Sequence, residues 1–249
     1  GAHTRERYYG EPALRPAADI DVLIPESAKI AAIRAFMRQG FAFCPKAEII
    51  SHEANLNKGV VAIDLHWDIL RPGRTRIPIV DALLATRQDY GSHWGMSDAS
   101  TLFILLVHPV FAKYTTTPQA ALMRLVDLAL VLRKPETDWT AVFQLLEITG
   151  LKTAAWTTLK WFEQLSGEMA PQGFSQRLQP GVIRRNYLGY WLDRNLASRL
   201  LERPLFVQLG FTLPAHDRPG DALRAVNRAR ILKRSRYSDL QSLLEMTES

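Results

Sequence analysis

The apolar positions of this chain change period part-way along it. Up to about residue 90, short runs with the period of two of β-strands alternate with stretches of helical spacing. From about residue 97 the apolar residues recur every three or four positions, as on helices. Residues 18–24 predict a buried strand, stopped by Pro25. Residues 60–69 predict another, with Val61, Ile63, Leu65, Trp67 and Ile69 on one face and Asp64, His66 and Asp68 on the other. Residues 48–52 read as a further strand, and Asn55-Leu56-Asn57-Lys58-Gly59 as the hairpin connection that follows it. Between the first two strands, Ile30, Ile33, Ala35 and Phe36 predict a helix over 26–39, closed by Gly40. A short helix over 1–9 precedes the turn at Gly10-Glu11-Pro12.

In the second half the spacing predicts helices over 99–114, 118–133, 139–149, 151–165, 182–201 and 219–236. Pro135 and Gly150 supply stop signals after two of them. The periodicity breaks at Tyr90-Gly91-Ser92 and Gly95, which divides the chain into a mixed part over 1–95 and an all-helical part over 96–249. The fold class expected is α+β: a mixed sheet with flanking helices, then an all-helical C-terminal bundle.

The length of 249 residues allows one large domain or two small ones. The single cysteine, Cys44, excludes an intrachain disulfide and favours a reducing, cytoplasmic setting. Cys44 itself reads as a packing residue rather than a nucleophile. The most apolar run, Leu102-Phe103-Ile104-Leu105-Leu106-Val107, meets His108 and Pro109 far short of the roughly 20 residues a membrane span needs. The opening residues carry no secretory pattern. The formal charge of +6 is local. Arg218, Arg224, Arg228, Arg230, Lys233, Arg234 and Arg236 are opposed in their stretch by Asp221 alone and account for the whole excess. That stretch reads first as a solvated helix face, and second as a polyanion contact centred on Arg224, Arg228 and Lys233. A membrane-surface role lacks the bulky apolar face such helices use.

The acidic residues carry the candidate chemistry. On a strand, Asp19 and Asp21 share a face, and Asp64 occupies the polar face of its own run. If the two strands are neighbours, three carboxylates meet on one patch. That is a donor set for Mg²⁺, which takes oxygen ligands and keeps positions open for phosphates. Surface carboxylates with no role are the plainer reading, but a strand rarely spends alternating positions on Asp. His66 reads as a hydrogen-bonding residue that orients Asp64 or Asp68 rather than as a ligand, because histidine suits Mg²⁺ poorly. Asp68 reads as solvated or structural, His52 as a surface residue near the hairpin, and Trp67 as core. Arg15 meets either a phosphate or a carboxylate. Asp127, in an otherwise apolar helix, pairs with Arg124 or Arg133 or caps another element.

In order along the chain stand Gly1-Ala2, Tyr9, Pro12, Leu14-Arg15-Pro16, Asp19-Ile20-Asp21-Val22-Leu23-Ile24 and Ile63-Asp64-Leu65-His66-Trp67. Farther on come the helical run from Leu125 to Arg133 and Asp138-Trp139. Over roughly residues 1–165 this order resembles the uncharacterised bacterial nucleotidyltransferase family, a branch of the DNA polymerase β-like nucleotidyltransferase superfamily. The resemblance implies a polymerase β-like core that moves a nucleoside monophosphate from an NTP, ATP included, to a hydroxyl-type acceptor. The acceptor class is open among small molecule, peptide and glycan. Asp19, Asp21 and Asp64 would be the catalytic residues and hold two Mg²⁺ ions, roughly 3.5–4 Å apart. Gly1, Ala2 and Arg15 would face the nucleotide, since the superfamily holds the triphosphate at a glycine motif opening a helix. The lysine and strand that the family carries before this glycine are absent from the 249 residues, which implies an incomplete triphosphate cradle. Two alternatives stay open: a catalytically incomplete scaffold that keeps the fold and binds, and a nucleic-acid module working through the basic C-terminal helix.

Overall fold

The computed structural model describes residues 1–44, 53–71, 73–111, 118–171, 173–200 and 202–234. The strand expected over 48–52, with His52, lies outside them, as does Arg236.

The chain opens with α1 (Ala2–Tyr8), then β1 (Ile20–Leu23), α2 (Lys29–Arg38), β2 (Ala42–Cys44), β3 (Glu53–Lys58) and β4 (Val61–His66). The four strands form one sheet in the order β1-β4-β3-β2. β1 runs parallel to β4, and the other pairings are antiparallel. The first strand is therefore a sheet edge among the described residues, and Ile20 is exposed where a buried strand was expected.

The segment 55–59 is not a loop. Asn55, Leu56, Asn57 and Lys58 belong to β3, and the hairpin turn is the pair Gly59-Val60. Gly59 sits at φ 57°, a region that residues with a Cβ rarely adopt. Two asparagines around one leucine resemble turn chemistry, yet they alternate with buried Ala54 and Leu56, which is strand periodicity.

That alternation builds a small core on one face of the sheet. Ala54, Leu56, Ile63 and Leu65 close over Ile33 of α2, with Val22, Phe36 and Trp67 packed around them. Each of the leucine and isoleucine side chains stabilises by about 1.5–3 kcal/mol when fully buried. β4 ends at His66, so the expected apolar face does not reach Ile69, which packs against the other core.

The second core is helical. After α3 (Val80–Ala85) and the two-stranded β5 (Gln88–Asp89) and β6 (Trp94–Gly95) come α4 (Asp98–Phe111), α5 (Pro118–Leu132), α6 (Trp139–Thr149) and α7 (Lys152–Ser166). Then follow α8 (Phe174–Leu178), α9 (Val182–Asp193), α10 (Leu196–Arg199), α11 (Pro204–Val207) and α12 (Pro219–Arg234). The helix expected over 182–201 is interrupted, because Asn195 takes a left-handed conformation at φ 48° that asparagine tolerates better than most residues. Phe103, Leu106 and Val110 of α4 and Leu159 and Phe162 of α7 lie at the centre of this core. Tyr8, Leu70, Ile79 and Leu83 from the first 95 residues are buried in it, and Leu23 of β1 packs against it. Leu23 shares a face with Asp21, so the polar face of the sheet borders the helices.

One buried ion pair ties the start of the chain to this core. Arg15 grips Asp127 of α5 with two hydrogen bonds of 2.7 Å, and Tyr9 donates to the same carboxylate at 2.8 Å. The remaining guanidinium nitrogen donates to the carbonyl of Gly1 at 3.1 Å. Arg15 and Tyr9 thus bond to Asp127, the charge of Arg124 also acts on it, and Arg133 instead meets Glu168. Removing one member of a buried pair strands the other charge. Asp127→Ala is therefore expected to lower unfolding stability by about 3–5 kcal/mol. Glu168→Ala at the exposed Arg133 pair should cost less than about 1 kcal/mol. Denaturant melts of the two variants check the contrast.

Candidate metal centre

Strand register decides which polar groups meet. Asp21 on β1 lies directly beside Asp64 on β4, and Leu23 beside His66. On the other side, β3 sets Asn55 opposite Asp64 and Glu53 opposite His66. Asp21, Asp64, His66, Asn55 and Glu53 consequently share the face that the small apolar core does not use.

The side chains close in on one another. Ligand atoms of Asp21, Asp64 and His66 all lie within 4.8 Å. His66 Nε2 is 3.1 Å from Asp21 Oδ1, and its Nδ1 is 3.7 Å from Glu53 Oε2. Asn55, 7% exposed, donates from Nδ2 to Asp64 Oδ1, and its buried Oδ1 has no hydrogen-bond partner among the described residues. His66 was expected to orient Asp64 or Asp68; it bonds to Asp21 instead, because Asp68 lies beyond the end of β4.

Asp19 stands one residue before β1, in a bend, and is not among the atoms gathered within that span. Its same-face relation to Asp21 assumed a strand that began earlier. Gly1 lies against the cluster: a Cβ there would come within 2.4 Å of Asp21 Oδ2, so a side chain at this position would require the Asp21 carboxylate to shift. Ala2 opens α1 beside it. Arg15 is committed to Asp127 and the Gly1 carbonyl.

A family model described as uncharacterised nucleotidyltransferase matches residues 1–167. The chain belongs to this nucleotidyltransferase family. Neither a curated protein nor a solved structure matches it. The match spans β1 to β4 and the helices through α7, and nucleotidyl transfer is the general function it supports. No helix among the described residues is long and apolar enough to cross a membrane.

Sequence reasoning missed Glu53 and Asn55. The usable signal was the alternation Glu53-Ala54-Asn55-Leu56-Asn57, hidden by reading its second half as a turn. The donor set suits a divalent cation: two adjacent carboxylates repel each other, and the bare Asn55 oxygen is a buried acceptor of the kind that an ion or an ordered water satisfies. In the basic C-terminal helix, Arg224 pairs with Asp221, Arg228 is exposed, and the side chain of Lys233 lies outside the described residues.

The charges around His66 give a pH dependence. Burial works against the imidazolium, but its hydrogen bond to Asp21 and the charges of Asp21, Glu53 and Asp64 outweigh it, raising the pKa above 6.5. Asp21 moves the other way: its bond to His66 lowers its pKa below 3.8 against the opposing effect of burial. A raised histidine pKa stabilises the fold fully below about 6.5, and that contribution is lost as pH rises through the higher folded value. The Asp21 contribution is present above about 3.9 and lost as pH falls through its depressed value. Thermal melts in chelator should therefore show wild type more stable than His66→Gln at pH 6, by less than about 1 kcal/mol for so exposed a pair. The gap should close toward pH 9.

Proposed function

We propose that this chain transfers a nucleoside monophosphate from an NTP to a hydroxyl-type acceptor with the help of Mg²⁺. The observation that carries the reading is the pairing of Asp21 with Asp64 on one sheet face, inside a family of nucleotidyltransferases. Asp21 and Asp64 would hold the cation, with Asp19 at the mouth of the same strand. When bound, the ion supplies positive charge to phosphoryl oxygens. Asp64 also serves as the base. The acceptor hydroxyl gives its proton to this carboxylate, the freed oxygen attacks the α-phosphorus, and the bond to the β-phosphate breaks, releasing pyrophosphate. The backbone N–H groups of Gly1 and Ala2 face the triphosphate in this reading, and Arg15 acts by holding the Gly1 carbonyl in place. His66 Nε2 stands 3.1 Å from the Asp21 carboxylate, beside the cation's place.

A second reading, a catalytically incomplete binder, has one specific support. The guanidinium of Arg15, suggested for phosphate, is consumed by Asp127.

Incubation with labelled NTPs, Mg²⁺ and a panel of hydroxyl acceptors separates the two. Transfer should occur with pyrophosphate release, and Asp64→Asn or Asp21→Asn should lower it by at least about 100-fold, given the several kcal/mol a metal contributes to charge stabilisation. Calorimetric binding of ATP and Mg²⁺ with no turnover on any acceptor would favour the binder.

A further inference from the structure

His66 engages its two ring nitrogens differently. Nε2 faces Asp21 at 3.1 Å, within the group of atoms it shares with Asp64. Nδ1 faces Glu53 Oε2 at 3.7 Å, across the β3–β4 pairing. A metal-binding histidine donates its second ring N–H to a carboxylate or carbonyl, and Glu53, 3.7 Å from Nδ1, is the carboxylate placed to take that bond after a small approach. The carboxylate sets the tautomer and ring orientation and raises the basicity of the ligating nitrogen. A residue that merely props Asp21 needs no acid behind it.

The neighbouring row repeats the arrangement. Asp64 has Asn55 directly opposite it on β3, and Asn55 donates to its carboxylate. Glu53 and Asn55 thus support His66 and Asp64 one for one. Asn55 is more than nine-tenths buried, turns its Nδ2 to Asp64, and leaves its amide oxygen without a hydrogen-bond partner among the described residues. Leaving such an acceptor unpaired is unfavourable, and a bound ion's water or another donor would remove that cost.

We propose that His66 is a direct metal ligand through Nε2, with Glu53 on its far side, and that the centre prefers a divalent first-row transition-metal ion, for which Mn²⁺ serves as the probe, to Mg²⁺. This rests on the reading of Asp21 and Asp64 as a divalent-cation site. Mg²⁺ favours oxygen ligands, whereas first-row transition ions accept imidazole alongside carboxylates. Two carboxylates and one imidazole are a donor set of mixed character, and the nitrogen shifts the preference.

The test is Mn²⁺ binding to the full chain without nucleotide, followed by calorimetry and pulsed electron paramagnetic resonance. Wild type should bind Mn²⁺ more tightly than Mg²⁺ and show modulation from an imidazole nitrogen. His66→Gln should abolish the modulation and weaken Mn²⁺ by more than it weakens Mg²⁺. Glu53→Gln should keep the modulation while weakening Mn²⁺ by about 10–100-fold, as expected of a group that orients a ligand. Circular dichroism of each variant reports whether it folds, and the wild-type spectrum needs no variant. Bound Mn²⁺ with no nitrogen modulation, an unaltered spectrum in His66→Gln, or tighter binding of Mg²⁺ than of Mn²⁺ would overturn the proposal. An imidazole signal with no NMP transfer would count against the enzymatic reading alone; transfer with Mg²⁺ and no such signal would count against this one alone.

Discussion

The site depends on the register of two parallel strands. β1 and β4 pair so that Asp21 stands beside Asp64. A slip of one residue in β4 would turn Asp64 into the small core and expose Ile63 and Leu65. The burial of those two side chains with Leu56 and Ala54 over Ile33 prevents the slip, because each fully buried aliphatic chain is worth about 1.5–3 kcal/mol. Two like charges facing each other across neighbouring strands are unfavourable on their own. The apolar face of the same strands pins them there, and His66 together with Asn55 eases the repulsion. Packing on one side of the sheet thereby sets up the electrostatics on the other.

The helical part also shapes the site. Arg15 anchors to Asp127 on α5 and holds the carbonyl of Gly1, whose nitrogen lies 4.0 Å from the carboxylate of Asp21. Leu23, two residues from Asp21, packs against the helical core, and His108 of α4 lies near enough to favour the charged form of Asp21. The first 95 residues thus supply both a sheet and part of a core dominated by later helices.

Much of this was legible from residue order. The alternation in Ile63-Asp64-Leu65-His66 specified strand and facing together, and the spacing with Gly150 placed α6 at its observed bounds. The sheet pairing was only a conditional, since no local pattern says which strand lies beside which. Asn55 escaped because asparagine signals a turn by itself and a strand only through its neighbours. Asp19 was drawn into the acidic face by parity, which holds only inside a strand, and β1 begins at Ile20. The partner of Asp127 lay 112 residues away on Arg15, whereas the helix offered Arg124 and Arg133 nearby. Long-range pairing is where sequence spacing stops informing.

The central claim is that Asp21 and Asp64 are brought together to hold a divalent cation. Crystals grown with Mn²⁺ and measured at its absorption edge test it most directly. The account predicts an anomalous peak between the two carboxylates, in contact with both and lost in Asp64→Asn. A peak elsewhere, or none between them at saturating Mn²⁺, would contradict it.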